Sequence, residues 1–330
     1  AEMSGNHNKS LHRALEIVDL AAKSGANIIK LQTYKPDTMT LNINTGEFKI
    51  KDKNSLWFDK SLYDLYKIGS TPWNWHKQII KRAKKNKIIC ISTPFDETAV
   101  DFLENLKVPA YKISSFENTD HLLLKKVART KKPIILSTGM ASLSDIQDAI
   151  ETIKINGNSK IILLKCTSTY PAKAEDSNLK TIGYMNKIFS CYVGLSDHTP
   201  GIGTAIASVA YGAKVIEKHF TTKRSDGGID SAFSLEPDEF KNLVKESKQA
   251  HKSLGEIKFG ATKNEKKSIQ FRRSLYICKN VKKGELISKK NIKNIRPGFG
   301  ISTKYYNEAL GRKFKASYRI GTPLTWKVIT

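Results

Sequence analysis

Short apolar runs alternate with longer amphipathic stretches along most of this chain, and that alternation restricts the available folds more than any single motif does. The runs are AEM (1–3), NIIKL (27–31), KIICIS (87–92), AYKIS (110–114), PIILS (133–137), KIILLKC (160–166), CYVGLS (191–196) and KVIEKHF (214–220). Between them lie LHRALEIVDLAAKSG (11–25), DETAVDFLENL (96–106), SLSDIQDAIETIK (142–154) and EPDEFKNLVKESKQAHKSLG (236–255), whose apolar residues recur every three or four positions. Eight strand–helix units in about 250 residues fit a (β/α)8 TIM barrel, whereas an open doubly wound sheet has fewer strands and a glycine-rich dinucleotide turn. The expected organisation is an α/β barrel over residues 1–255, a polar linker over 256–269, and a small second domain over 270–330 with short strands and repeated glycine turns. AEMSGNHN reads as the end of a strand, so further residues are expected ahead of Ala1.

The net charge of +25 raises the question of a nucleic-acid partner. The lysines are scattered through KRAKKNK (81–87), KKVARTKK (125–132) and KNEKK (263–267), on helix surfaces and linkers. No helix-turn-helix, RNP-like or zinc-finger spacing accompanies them, so they read as a solvated surface and no nucleic-acid partner is expected. No run approaches the roughly 20 apolar residues of a membrane span, and no membrane partner is expected. Cys90, Cys166, Cys191 and Cys278 form neither a disulfide framework nor a zinc pattern, which makes a reducing cytoplasm the expected compartment.

Barrel enzymes carry their chemistry at the C-terminal ends of the strands. Polar residues gather at those ends here: Glu2 and Asn6 after the first run; Lys30 and Gln32; Thr93; Lys112, Ser115 and Glu117; Ser168 and Tyr170; Ser196 and His198; Glu217 and His219. A lysine within an apolar strand is costly unless it is paired or binds an anion. Lys30 and Lys112 therefore suggest a bound phosphate or carboxylate, the plainer reading being buried pairs with glutamate. In VIEKHF (215–220), side-chain alternation sends Glu217 and His219 to one face and Lys218 to the other, the plainer reading being an exposed edge strand with its polar residues in solvent. His198 and His219, at the ends of neighbouring strands, could share a divalent metal, although histidines at strand ends more often only hydrogen-bond their neighbours. Residues 34–70 form an unusually long connection that would overhang the same face.

Together AEMSGNHN, GANIIKLQTY, STPFDE, YKISSFE, PIILSTGMAS, CTSTYP, GLSDHTPG, VIEKHF, IRPGFGI and GTPL resemble the sialic acid synthase family, which joins phosphoenolpyruvate to an amino sugar. The resemblance covers essentially the whole chain and implies a TIM barrel followed by a small antifreeze-protein-like (SAF) domain. KLQTYKPDTMT, SLYDLY and TPWNWH look like the pseudaminic acid synthase branch, implying a 2,4-diacetamido-2,4,6-trideoxy-L-altrose substrate. N-acetylneuraminate or legionaminate synthesis on a related amino sugar is the enzymatic alternative, and a non-catalytic basic protein binding glycans or nucleic acid is the remote one.

The resemblance further implies phosphoenolpyruvate contacts from Lys30, Thr93, Lys112, Ser115, Ser168, Tyr170 and Ser196. Ser168 stands where many relatives have asparagine. Glu2, Glu117, Glu217, Lys30 and Lys112 would be catalytic, and Glu2, Asn6, Glu117, Tyr170, Asp230 and Arg296 would meet the sugar. His198 and His219 would hold a divalent metal, manganese first and magnesium or cobalt as alternatives. Arg296 would reach the partner subunit's site in a domain-swapped homodimer.

Overall fold

The computed structural model describes residues 1–53 and 55–330, and the chain divides into two units, Ala1–Gly255 and Glu256–Thr330. In the first unit seven parallel strands pair in chain order: β1 (Ile28–Thr33), β2 (Ile89–Pro94), β3 (Tyr111–Ile113), β4 (Ile134–Ser137), β5 (Ile161–Cys166), β6 (Tyr192–Asp197) and β7 (Val215–Lys218). The eighth position belongs to Glu2, which bridges β1 at Lys30 and the end of β7 at His219. Its N–H donates to the Lys218 carbonyl (2.9 Å) and its carbonyl accepts from Phe220 N–H (2.9 Å), while Met3 N–H donates to the Lys30 carbonyl (3.0 Å). Among the described residues the AEM run closes the sheet through Glu2, and the chain turns away after it at Ser4, whose φ is 45°.

The strands are apolar on both faces because both are covered. Outward residues pack under the helices in two clusters, one around Tyr111, Leu136, Leu163 and Leu195 and one around Ile17, Ile29, Ile79 and Phe220. Inside the barrel Ile91, Ile135 and Leu164 form an apolar plug. Gly194 is required beside it: a Cβ there would lie 2.1 Å from the Val215 carbonyl oxygen and 2.7 Å from Leu164 Cδ2. Several helices begin on side-chain caps; Asp96, for instance, accepts from Thr98 N–H (2.7 Å) and Ala99 N–H (3.1 Å) ahead of helix Glu97–Asn105.

The second unit carries an antiparallel pair, β8 (Ser274–Ile277) and β9 (Ile292–Ile295), over a core that includes Leu275, Ile277, Val281, Phe314 and Leu324. In the stretch expected as a linker, Ile257 and Phe259 are each 95% exposed, so it has no core of its own. A short 3-10 segment, Glu265–Phe271, follows. No helix among the described residues is long and apolar enough to cross a membrane.

Candidate active site

Three glycine- or proline-free strands, β1, β3 and β7, lead charged residues into the barrel above its apolar plug. Lys30 on β1 is buried in an ion pair with Glu2 and lies 3.6 Å from Glu217, with Nζ also donating to Thr93 Oγ1 at 3.3 Å. Lys112 on β3 has a side chain only 2% exposed and lies 3.7 Å from the same Glu217 Oε1. Ser196 on β6 donates to that oxygen at 3.1 Å. Burial alone would raise the Glu217 carboxyl, but Lys112 and Lys30 hold it well below the ordinary range. Burial raises Glu2 despite the opposing pull of Lys30. It also lowers the Lys112 ammonium, an effect that Glu217 offsets only in part. The plain ion-pair reading of the two lysines thus holds as far as it goes, since each has a glutamate, but one carboxylate is shared between two cations.

At the same rim the rings of His198 and His219 lie with centroids 5.3 Å apart. His198 Nδ1 donates to the Thr167 carbonyl at 2.9 Å, which leaves its Nε2 lone pair free, the arrangement that second-sphere carbonyls impose on metal-binding histidines. His219 is buried, and its Nδ1 has no hydrogen-bond partner among the described residues, Asp230 lying 3.6 Å away. Burial and the neighbouring His198 keep this ring well below its ordinary pKa, in the neutral form a cation needs. An orphaned, neutral imidazole facing a second one fits a divalent ion. No cluster of three or more His, Cys, Asp or Glu able to hold a metal occurs among the described residues, so water or substrate would complete the coordination.

A cavity of about 450 Å³ opens beside the histidines, bounded by Gln32, Glu117, Ser168, Tyr170, His219 and Asp230. The long 34–70 connection supplies its outer wall through Tyr34, Ile50, Trp57 and Tyr66, and Asn54 within it lies outside the described residues. Trp57 is anchored by an indole N–H bond to the Ile229 carbonyl (3.1 Å) and lies 5.8 Å from the Tyr170 ring. Tyr170 in turn sits 4.4 Å from His198. Glu117 accepts a short hydrogen bond from Ser114, and burial pushes its carboxyl up. Asp230, bonded to Ser4 Oγ, is pushed up to about 6 by burial. Ser115 Oγ accepts from Gly139 N–H at 3.1 Å. A Cβ on Gly139 would come within 2.1 Å of Ser168 Oγ and 2.7 Å of Ser115 Oγ, so only glycine lets these two hydroxyls share the floor.

The structure therefore brings together Glu2, Lys30, Thr93, Lys112, Ser115, Glu117, Ser168, Tyr170, Ser196, His198, Glu217, His219 and Asp230. Asn6 is nearby but occupied: its amide N–H groups go to the Phe220 carbonyl (3.0 Å) and Ser234 Oγ (2.9 Å), and its oxygen accepts from Asp230 N–H (3.3 Å). It holds Asp230 in place. Arg296 is exposed just past β9 in the second unit. Reading the sequence missed Ser4, Cys166 and the partner of Lys218. Cys166 had the look of an apolar filler, yet its Sγ lies 3.8 Å from both His198 Nδ1 and Ser168 Oγ. Lys218 does leave the barrel interior, but it is buried against Asp197 at 2.7 Å.

A second cavity, about 580 Å³, opens near the other ends of the strands, where Ile28, Ile91, Val215 and Phe240 make it largely apolar. Catalytic groups of barrels gather at the strand C-termini, and the polar set described above is there.

Comparison with known proteins matches residues 17–259 to the NeuB family and residues 272–329 to the SAF domain. Pseudaminic acid synthase of Campylobacter jejuni is 44% identical over 324 residues, 98% of this chain and 94% of that protein. N,N'-diacetyllegionaminic acid synthase of the same organism is 39% identical over 97% of this chain and 96% of its own length. Among solved structures, N-acetylneuraminic acid synthetase of Leptospira borgpetersenii, in complex with citrate, superposes with a TM-score of 0.71 at 33% identity, covering 82% of this chain and 90% of that one.

Proposed function

The chain belongs to the NeuB family, and from that premise we propose that it is a pseudaminic acid synthase, condensing phosphoenolpyruvate with 2,4-diacetamido-2,4,6-trideoxy-L-altrose and releasing phosphate. The observation that carries this reading is the meeting, on one barrel rim, of two buried lysines and two facing histidines beside a cavity with carboxylates on its wall.

Lys30 and Lys112 would bind the anionic donor, with Thr93, Ser115, Ser168 and Ser196 supplying hydroxyl hydrogen bonds around it. Glu217, held ionised between the lysines, is a poor base; its role is to keep both ammonium groups aimed at the donor. His198 and His219 would hold a divalent ion, manganese first and magnesium or cobalt as alternatives, which when bound supplies Lewis acidity toward an aldehyde oxygen. Attack by C3 of phosphoenolpyruvate on the open-chain aldehyde leaves positive charge at C2, where water adds before phosphate departs. Glu117 is suited to take the proton from that water, because its raised pKa brings it closer to working pH. Glu2, Asp230 and Tyr170 would orient the sugar, and Arg296 would reach it from the partner subunit of a domain-swapped homodimer. Four free cysteines are in keeping with a reducing cytoplasm.

Legionaminate and neuraminate synthesis are the readings to separate from this one. Purified chain supplied with phosphoenolpyruvate and manganese should release phosphate fastest with the trideoxyaltrose, with kcat/KM about tenfold or more above that for the legionaminic acid precursor or N-acetylmannosamine. A preference for either of the other sugars moves the chain to another branch. Phosphate release that survives exhaustive chelation removes the metal.

A further inference from the structure

We propose that the buried Asp197–Lys218 pair is the positioning device of the two-histidine ion site. The inference rests on the reading of His198 and His219 as the residues that hold the ion. In the β6–β7 register Asp197 faces Lys218 directly, one rung beyond Ser196 and Glu217. Alternation puts the Ser196–Glu217 rung inside the barrel and the Asp197–Lys218 rung outside it. The next residue on each strand is one of the two histidines.

The bonds at this rung enclose His198. Lys218 Nζ meets Asp197 Oδ2 at 2.7 Å and makes a short hydrogen bond to the Thr199 carbonyl. Asp197 Oδ1 accepts from Thr199 N–H at 2.9 Å. The residues before and after His198 are thus both tied to Lys218, the residue that precedes His219. Side-chain exposures of 2% for Asp197 and 1% for Lys218 leave no water to replace these bonds. Burial lowers the Lys218 ammonium against the pull of Asp197, so the pair is not there because a buried charge is cheap. Its geometric effect is to fix the distance and facing of two imidazoles that have no third protein ligand among the described residues to define them. Thr167 holds the His198 ring by its other nitrogen, and the pair holds its backbone.

The test is Mn2+ binding to the full chain, followed by the electron paramagnetic resonance of free Mn2+, with phosphoenolpyruvate affinity measured in parallel. Lys218→Met should weaken Mn2+ binding by about 10–100-fold, the range found when outer-sphere partners of metal ligands are removed. Phosphoenolpyruvate affinity should change by less than about threefold, because Lys30 and Lys112 keep their own contacts. The double variant Asp197→Leu, Lys218→Met leaves no orphaned charge and should recover thermal stability. It should still bind Mn2+ weakly, since the side-chain tie from β7 to the turn around His198 is then gone. That double variant also provides the measurement should the single one fail to fold. Wild-type Mn2+ affinity in Lys218→Met, or affinity that returns with stability in the double variant, overturns the proposal, as does an equal loss of Mn2+ and phosphoenolpyruvate. If the wild-type chain itself binds no Mn2+, the ion-site reading fails first and the clamp falls with it.

Discussion

Glu117 has no cation within ion-pair distance among the described residues, only the Ser114 hydroxyl, whereas Glu2 and Glu217 pair with lysines. Burial therefore dominates and raises its pKa, whereas Glu217, between two lysines, moves the other way. If Glu117 takes a proton from the attacking water it must be ionised, so the rate falls as pH drops through its raised pKa. The acid limb of kcat should therefore lie above the ordinary glutamate range, and Glu117→Gln should lower kcat by about 10²–10⁴-fold, the usual contribution of a general base, with the fold intact by circular dichroism. A limb at the ordinary glutamate value, or a Gln variant of normal rate, assigns the base elsewhere. At this scale the lysines and histidines were legible in the sequence, because charge within an apolar run demands a reason. Cys166 was not, because a thiol in LLKC satisfies the same pattern as a packing residue. Ser4 was hidden for a different reason: its bond to Asp230 joins positions 226 residues apart.

Among the elements, the barrel strands could be read to within about two residues at each end, since burial on both faces leaves continuous aliphatic runs. AEM, read as a strand, takes the eighth position through Glu2 before the chain turns at Ser4. The Asp197–Lys218 pair could not be read at all: alternation assigns Lys218 to the outer face, but its partner depends on strand register, which the sequence does not display. The place of the 34–70 connection over the strand ends was legible from its length, though not the way Trp57 closes the cavity through Ile229. Trp57→Ala removes that anchor and the ring facing Tyr170. Steady-state kinetics should show the sugar KM rising about tenfold or more with the phosphoenolpyruvate KM little changed, because the donor groups sit deeper on β1 and β3. Equal effects on both substrates would mean that the connection supports the barrel instead of the sugar.

For the whole molecule, the second unit has its own core and an exposed Arg296, and the proposed swapped dimer gives that arginine a purpose. Arg296→Ala should raise the sugar KM or lower kcat while phosphoenolpyruvate binding persists, and His219→Ala should be inactive. Co-expression of the two variants then discriminates. In a domain-swapped dimer half the assemblies are mixed and each holds one intact composite site, so about a quarter of wild-type activity should return. No recovery, with mixed dimers present by mass spectrometry, would place Arg296 beside its own barrel or outside the site. The two-unit division was visible in the sequence as a change from long helical periods to short strands with glycine turns. The proposed composite site follows from the family resemblance alone, because it would depend on the arrangement of two copies.

The most direct test of the account is a crystal structure of the chain with Mn2+ and phosphoenolpyruvate, with manganese located by anomalous scattering. The account predicts one manganese peak within bonding distance of both His198 and His219, and the phosphate of phosphoenolpyruvate against the ammonium groups of Lys30 and Lys112. Manganese away from that histidine pair, or phosphate bound out of reach of both lysines, would contradict it.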